Sequence, residues 1–194
     1  MCRKNIATMR NLMVWWFKLK GWKVANGIPA DVKQCVIIAA PHTSNWDFVY
    51  TVATFTLLKT PVQFLAKKEL FKWPLKGLLK EVGAMPVQRS RSEKLVDTMI
   101  GLFKTNPNLL LMIPAEGTRS RVEQWKSGFY HVALGANLPV LPGYLDYATK
   151  TAGFGPPIVL TGNPDTDANA IRQFYADKTG RFPDLFNLDA IKLR

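Results

Sequence analysis

The stretch CVIIAAPHTSNWDFVYTVATFTLL, residues 35–58, decides how the chain must fold. The run VIIAA (36–40) has no polar alternation, so it reads as a strand covered on both faces. Thr43, Ser44 and Asn45 are helix-cap residues, and FVYTVATFTLL (48–58) continues from them with helical length. Lys59-Thr60-Pro61 then stops the helix. Between strand and helix lies PHTSNWDF (41–48), with one of only two histidines in the chain and an aspartate five residues after it.

The pattern repeats outward. VQFLA (62–66) and AMPVQR (84–89) read as strands, separated by a helical stretch (67–83) that Pro74 breaks into short pieces. Ser90-Arg91-Ser92-Glu93 forms a capping-box pattern before a helix carrying Leu95, Val96, Met99, Ile100 and Phe103. LLLMI (109–113) is another buried strand, and a further helix runs near 127–134. LPVLPGYLDY (138–147) and PPIVLTG (156–162) are strand candidates, with Pro142 suggesting a break or an edge. A last helix near 167–178 has Thr166 or Asp167 as its cap and Gly180 as its terminator. The expected fold class is α/β: a single domain with a mixed, mostly parallel sheet flanked by helices and an N-terminal amphipathic helix.

Ligands of such sheets bind outside the carboxyl ends of the strands. Two unusual polar clusters, PHTSNWDF and PAEGTRS (114–120), come directly after buried strands. In the first, His42 is suited to taking a proton near neutral pH, and Asp47 is placed to fix its tautomer. Read alone, the pair supports equally a base with its orienting carboxylate or a plain helix cap. No G-x-S-x-G is present and Cys35 lies inside a strand, so His42 points to activation of a substrate hydroxyl. In the second cluster Gly117 admits close backbone approach, Thr118 and Ser120 donate hydrogen bonds, and Arg119 offers a fork for phosphate or carboxylate. Glu116 sits beside them, which a simple polar turn does not need. Arg89, just before a helix start, could hold an anion together with the helix N-terminus. Lys67 and Lys68 leave the strand VQFLA similarly. Each of these cations also reads as a solvated surface charge. His131, in FYHVALG with no nearby carboxylate, reads as structural.

The chain has 194 residues and a net charge of +12, so its partners are anionic: nucleic acid, phosphorylated substrate or an anionic membrane surface. Two cysteines make no disulfide framework and, with two histidines, no structural zinc set. Residues 1–30 contain six cations, no acid before Asp31, and LMVWWF (12–17). That run is far short of the ~20 residues needed to span a bilayer, and its tryptophans fit a signal peptide poorly. Ile6, Met9, Leu12, Met13, Trp16 and Leu19 at helical spacing suit a helix lying in a membrane interface, or one packed on the core. The expected division is 1–30 as an amphipathic, membrane-associating segment and 31–194 as the chemical domain.

Together these clusters resemble the glycerolipid acyltransferase family, the lysophosphatidic acid acyltransferase (PlsC-like) group. Its ordered blocks are matched by His42 and Asp47 (H-x-x-x-x-D), by Gly83 and Arg89, by Glu116-Gly117-Thr118-Arg119-Ser120 in full, and by Leu138-Pro139-Val140-Leu141-Pro142. Ala66-Lys67-x-Glu69-Leu70 and Lys126-x-Gly128 also fit. The resemblance runs from about residue 36 to 147. It implies that His42, oriented by Asp47, deprotonates a hydroxyl of a lysophospholipid such as 1-acyl-glycerol-3-phosphate, which attacks the thioester of acyl-CoA or acyl carrier protein. It implies that Arg89, Arg119 and Lys67 bind the acceptor's phosphate, and that Gly83, Glu116, Gly117, Thr118 and Ser120 shape its pocket. No cofactor or metal is implied, nor a nucleic-acid partner. An apolar channel for the acyl chain is expected along 48–58. The implied location is cytoplasmic, on the inner face of the membrane. Pro41 stands where the family has asparagine, Met85-Pro86-Val87 where it often has Phe-Ile, and Ala115 separates Pro114 from Glu116. These departures leave other lysolipids, amino-lipids and non-glycerol acceptors open. The reading of another class is a non-catalytic basic lipid-binding module.

Overall fold

The computed structural model describes residues 2–72, 75–87 and 92–193. Helix α1 (Cys2–Leu19) leads into strand β1 (Lys23–Val24). Next come β2 (Cys35–Ala39), α2 (Trp46–Leu58), β3 (Val62–Lys67), α3 (Leu75–Glu81), β4 (Ala84–Val87), α4 (Ser92–Thr105) and β5 (Leu110–Ile113). The chain continues with α5 (Gly128–Gly135), β6 (Val140–Asp146), β7 (Thr151–Phe154) and α6 (Pro164–Tyr175). One sheet holds all seven described strands in the order β1-β7-β6-β2-β5-β3-β4. Every pairing is parallel except β6 with β7.

The unbroken apolar character of β2 reflects its place between β5 and β6. Val36 and Ile38 pack on the side of α4, α5 and α6 with Phe103, Phe129 and Ile171. Cys35 and Ile37 face the other way, toward Phe55, Leu58 and Phe154. Both faces are covered, as parallel sheets require. Burial pushes the Cys35 thiol up to about 12, so it stays protonated, a packing residue rather than a nucleophile.

The threonines of α2 do not prevent its helix, because Thr54 and Thr56 donate to the carbonyls of Tyr50 and Val52. The helix ends at Lys59 in the left-handed region, φ 53°. Its first turn is capped by Ser44 rather than Asn45. Ser44 Oγ accepts from the Trp46 amide at 3.2 Å, and the Asn45 side chain makes no cap bond.

Three expectations change. Residues 156–162 form no strand; only Ile158 bridges Val140, and the strand beside β6 is Thr151–Phe154. Pro156 and Pro157 lack amide donors, and the Gly-containing TAGF carries no strand signal. Pro142 lies inside β6, not at an edge. Its carbonyl accepts from Gly155 at 2.8 Å, so its missing N–H faces the place where β7 runs out. Helix α6 begins earlier than expected, with Asn163 accepting from Asp165 and Thr166. Pro74 and the Ser90–Arg91 half of the capping box lie outside the described residues.

Candidate active site

The order of strands brings the two polar clusters together. β2 and β5 are neighbours, in parallel register from Cys35↔Leu110 to Ile38↔Ile113. The loops that leave their carboxyl ends therefore emerge at the same edge of the sheet. The His42 amide donates to Glu116 Oε1 at 2.7 Å. This bond joins residues 74 apart in sequence and holds the His42 backbone on the end of β5.

Asp47 is the hub. Its Oδ2 takes His42 Nδ1 at 3.1 Å and the Ser44 amide at 2.9 Å. Its Oδ1 takes the Tyr147 hydroxyl at 2.6 Å. At 3 % exposure it is effectively out of water. A carboxylate accepts, so Nδ1 must carry the proton, which leaves the Nε2 lone pair free to accept one. The His42 side chain is 23 % exposed, enough for that nitrogen to meet a substrate. Capping and orientation are thus done by one carboxylate. The Ser44 amide bond is half of a capping box, and the His42 bond is the other use of the same oxygen.

Tyr147 carries no motif in the sequence, beyond closing the strand candidate 138–147. Burial, then its bond to Asp47, holds its hydroxyl far above the ordinary tyrosine range, so it remains a donor. The signal that could have found it is the strand-end rule: it is the first residue after β6.

Glu116, 1 % exposed, lies under the His42 loop. Burial pushes its carboxyl up to about 7. The His42 amide opposes that rise and the Asp47 charge adds to it. Gly117 has φ +72°, and a Cβ there would stand 3.0 Å from Lys126 Cγ. Thr118, Arg119 and Ser120 form an exposed turn beyond it, with the Ser120 amide donating to Thr118 Oγ1 at 3.3 Å.

Gly83 sits at the opposite, amino end of β4, with φ +90°. A Cβ would meet the Val62 carbonyl at 2.2 Å. Lys67 closes β3 at the carboxyl edge, where its backbone pairs in register with Val87; its side chain and all of Arg89 lie outside the described residues. His131 is exposed on α5 beside Tyr130.

Behind His42 and Asp47 a narrow, mostly apolar cleft runs between α2 and the sheet, walled by Ile37, Phe55, Met112, Leu145 and Phe154. A larger one, reaching Gly83, shares Thr51, Phe55 and Met112 with it.

Residues 22–146 match the family model described as Acyltransferase. Over 130 residues the chain is 32% identical to 1-acyl-sn-glycerol-3-phosphate acyltransferases of Limnanthes alba and Limnanthes douglasii. Those matches cover 60% of this chain and 44% of each relative, so the chain spans under half of the relatives it matches.

Proposed function

Because the chain belongs to the acyltransferase family, we propose that it moves a fatty acyl group from a thioester donor, acyl-CoA or acyl carrier protein, to a hydroxyl of a lysophospholipid such as 1-acyl-glycerol-3-phosphate. The observation that carries the proposal is the His42–Asp47–Tyr147 chain at the carboxyl edge of the central strands. His42 Nε2 takes the proton of the acceptor hydroxyl as its oxygen attacks the thioester carbonyl. The tetrahedral intermediate collapses, the C–O ester bond remains, the C–S bond breaks, and the leaving thiolate recovers the proton from His42. Atoms and charge balance with no cofactor or metal consumed. The aspartate holds the ring in place and steadies the imidazolium.

Glu116 acts here by fixing the His42 backbone, while Arg119, Lys67 and Arg89 supply cations for the acceptor's phosphate. Gly83 and Gly117 give the backbone its required turns, and Thr118 and Ser120 offer polar contacts at the acceptor side. The narrow apolar cleft behind His42 opens at Thr51, Phe55 and Met112 into the larger one, and together they offer a course for the acyl chain. Residues 1–30 would dock on the inner face of an anionic membrane from the cytoplasm, an orientation supported by Leu12, Trp15 and Leu19, all exposed at i, i+3 and i+7 of α1.

The test is release of free thiol from an acyl-CoA with and without added lysolipid. Release that needs the lysolipid, with acylated product seen by mass spectrometry, supports acyl transfer. Equal release without acceptor would mark a thioesterase, and none with any thioester would leave only a lipid-binding module.

A further inference from the structure

Beside the Asp47–Tyr147 bond, on the α1 side, lies a third cleft. Its walls combine aromatic rings with Lys20, Lys150 and Arg181. These cations come from three separate places: the turn after α1, the β6–β7 turn, and the segment after α6. None forms an ion pair with a described carboxylate. Three like charges brought to one concavity repel one another unless an anion is bound there. Their placement is also built. The Phe182 amide donates to Thr43 Oγ1 at 3.2 Å, and a Cβ on Gly180 would stand 2.9 Å from the same oxygen, so the backbone flanking Arg181 is seated on the His42 loop.

The rings are ordered too. Trp16 and Trp46 stack at 5.6 Å, with Lys20 Nζ 4.5 Å from the Trp16 centroid and the Arg181 guanidinium 5.6 Å from that of Trp46. Trp22 stacks on Tyr50 at 4.4 Å and meets Tyr147 edge-on. Trp46 remains 38 % exposed, leaving ring surface for a ligand. Indole faces beside several cations match a ligand with both a flat heteroaromatic base and more than one phosphate. A lysophosphatidate headgroup has one phosphate and no ring. An acidic carrier protein would use a broad basic surface, whereas here the cations line one concavity, as small-ligand sites do.

We propose that this cleft binds the phosphorylated nucleotide portion of the acyl donor, making the donor an acyl-CoA type thioester. The proposal rests on the acyl-transfer reading for what the nucleotide carries, but the binding itself does not. Tyr147 walls this cleft and bonds to Asp47, which lines the apolar cleft. Tyr147 and Asp47 thus stand between the nucleotide and His42, and the pantetheine arm carries the thioester past them to the base.

Two readouts test it. Adenosine 3′,5′-bisphosphate should quench the tryptophan fluorescence of the full chain saturably. Substituting Lys20→Ala, Lys150→Ala and Arg181→Ala together should weaken that binding at least tenfold, with the circular dichroism spectrum preserved. In turnover, the ratio of kcat/KM for acyl-CoA over acyl-pantetheine, which lacks the nucleotide, should fall at least tenfold in the same variant. Trp46→Leu, which keeps the cations, should weaken nucleotide binding by a smaller factor and serves if the triple variant misfolds. Absence of saturable quenching, an unchanged binding constant in the substituted chain, or selective turnover of acyl carrier protein over acyl-CoA overturns the proposal. Nucleotide binding without acyl transfer from any thioester would sink the functional reading and leave the nucleotide site standing.

Discussion

Asp47 gives the clearest case of one residue serving two ends. Its cap bond to Ser44 sets the start of α2, and its bonds to His42 and Tyr147 set the site. Asp47→Asn should keep the fold but lower kcat about 10²–10⁴-fold, because an amide can present its N–H₂ to Nδ1 and favour the wrong tautomer. Tyr147→Phe removes only the donor to Oδ1. Steady-state kinetics should show kcat falling about tenfold, the equivalent of about 1.4 kcal/mol, with the acceptor KM nearly unmoved. Glu116 yields a prediction about pH. Its folded carboxyl is raised from 4.5 to about 7, so between those values the native state holds a proton that the unfolded chain has lost. Stability attributable to this group therefore falls as pH rises from about 4.5 to 7 and is level above. The loss is on the order of 3 kcal/mol. Glu116→Gln keeps a carbonyl for the His42 amide but removes the titration, so its melting temperature should change less than that of the wild type across this window. Equal pH slopes for the two proteins would contradict the buried-carboxyl account. The pair His42 and Asp47 is visible in the sequence because five residues at a strand-to-helix junction keep it local. Tyr147 is not, because its partner lies 100 residues away and a lone tyrosine after a strand carries no spacing signal.

At the scale of elements, buried strands are legible from their apolar runs and helices from their caps and periodicity. The exceptions are β7, where TAGF offers only four residues with a glycine, and Pro142, whose tolerance depends on where a neighbouring strand ends. Two glycines of the same motif set also separate at this scale. A Cβ at Gly83 would press on backbone, the Val62 carbonyl at 2.2 Å, while at Gly117 it would press on the flexible Lys126 chain at 3.0 Å. Both have positive φ, so both substitutions strain the backbone. Gly83→Ala should cost about 2–4 kcal/mol in denaturant unfolding and Gly117→Ala about 1 kcal/mol. The reverse order would contradict these placements. The spacing from Gly83 to Arg89 marks a motif, but the glycine's part of it is the approach of β4 to β3.

Over the whole molecule, the net charge of +12 and the two faces of α1 act together. The expected face containing Trp16 is divided in the fold. Met13, Val14, Trp16 and Phe17 pack against the α2 side, whereas Leu12, Trp15 and Leu19 stay exposed. No described helix is long and apolar enough to cross a membrane. Replacing Leu12, Trp15 and Leu19 by alanine should lower co-sedimentation with anionic vesicles about tenfold or more, since under the proposed docking each would bury apolar surface in the interface. The central claim is that His42 is the base of an acyl transfer. Its most direct test is a screen of lysolipid acceptors with one acyl-CoA, read by mass spectrometry, for the wild type beside His42→Ala. The account predicts a new ester in the wild type, at least a roughly 10³-fold slower appearance in the variant, and matching thermal unfolding of the two proteins. Ester formation by His42→Ala at near wild-type rate would contradict it.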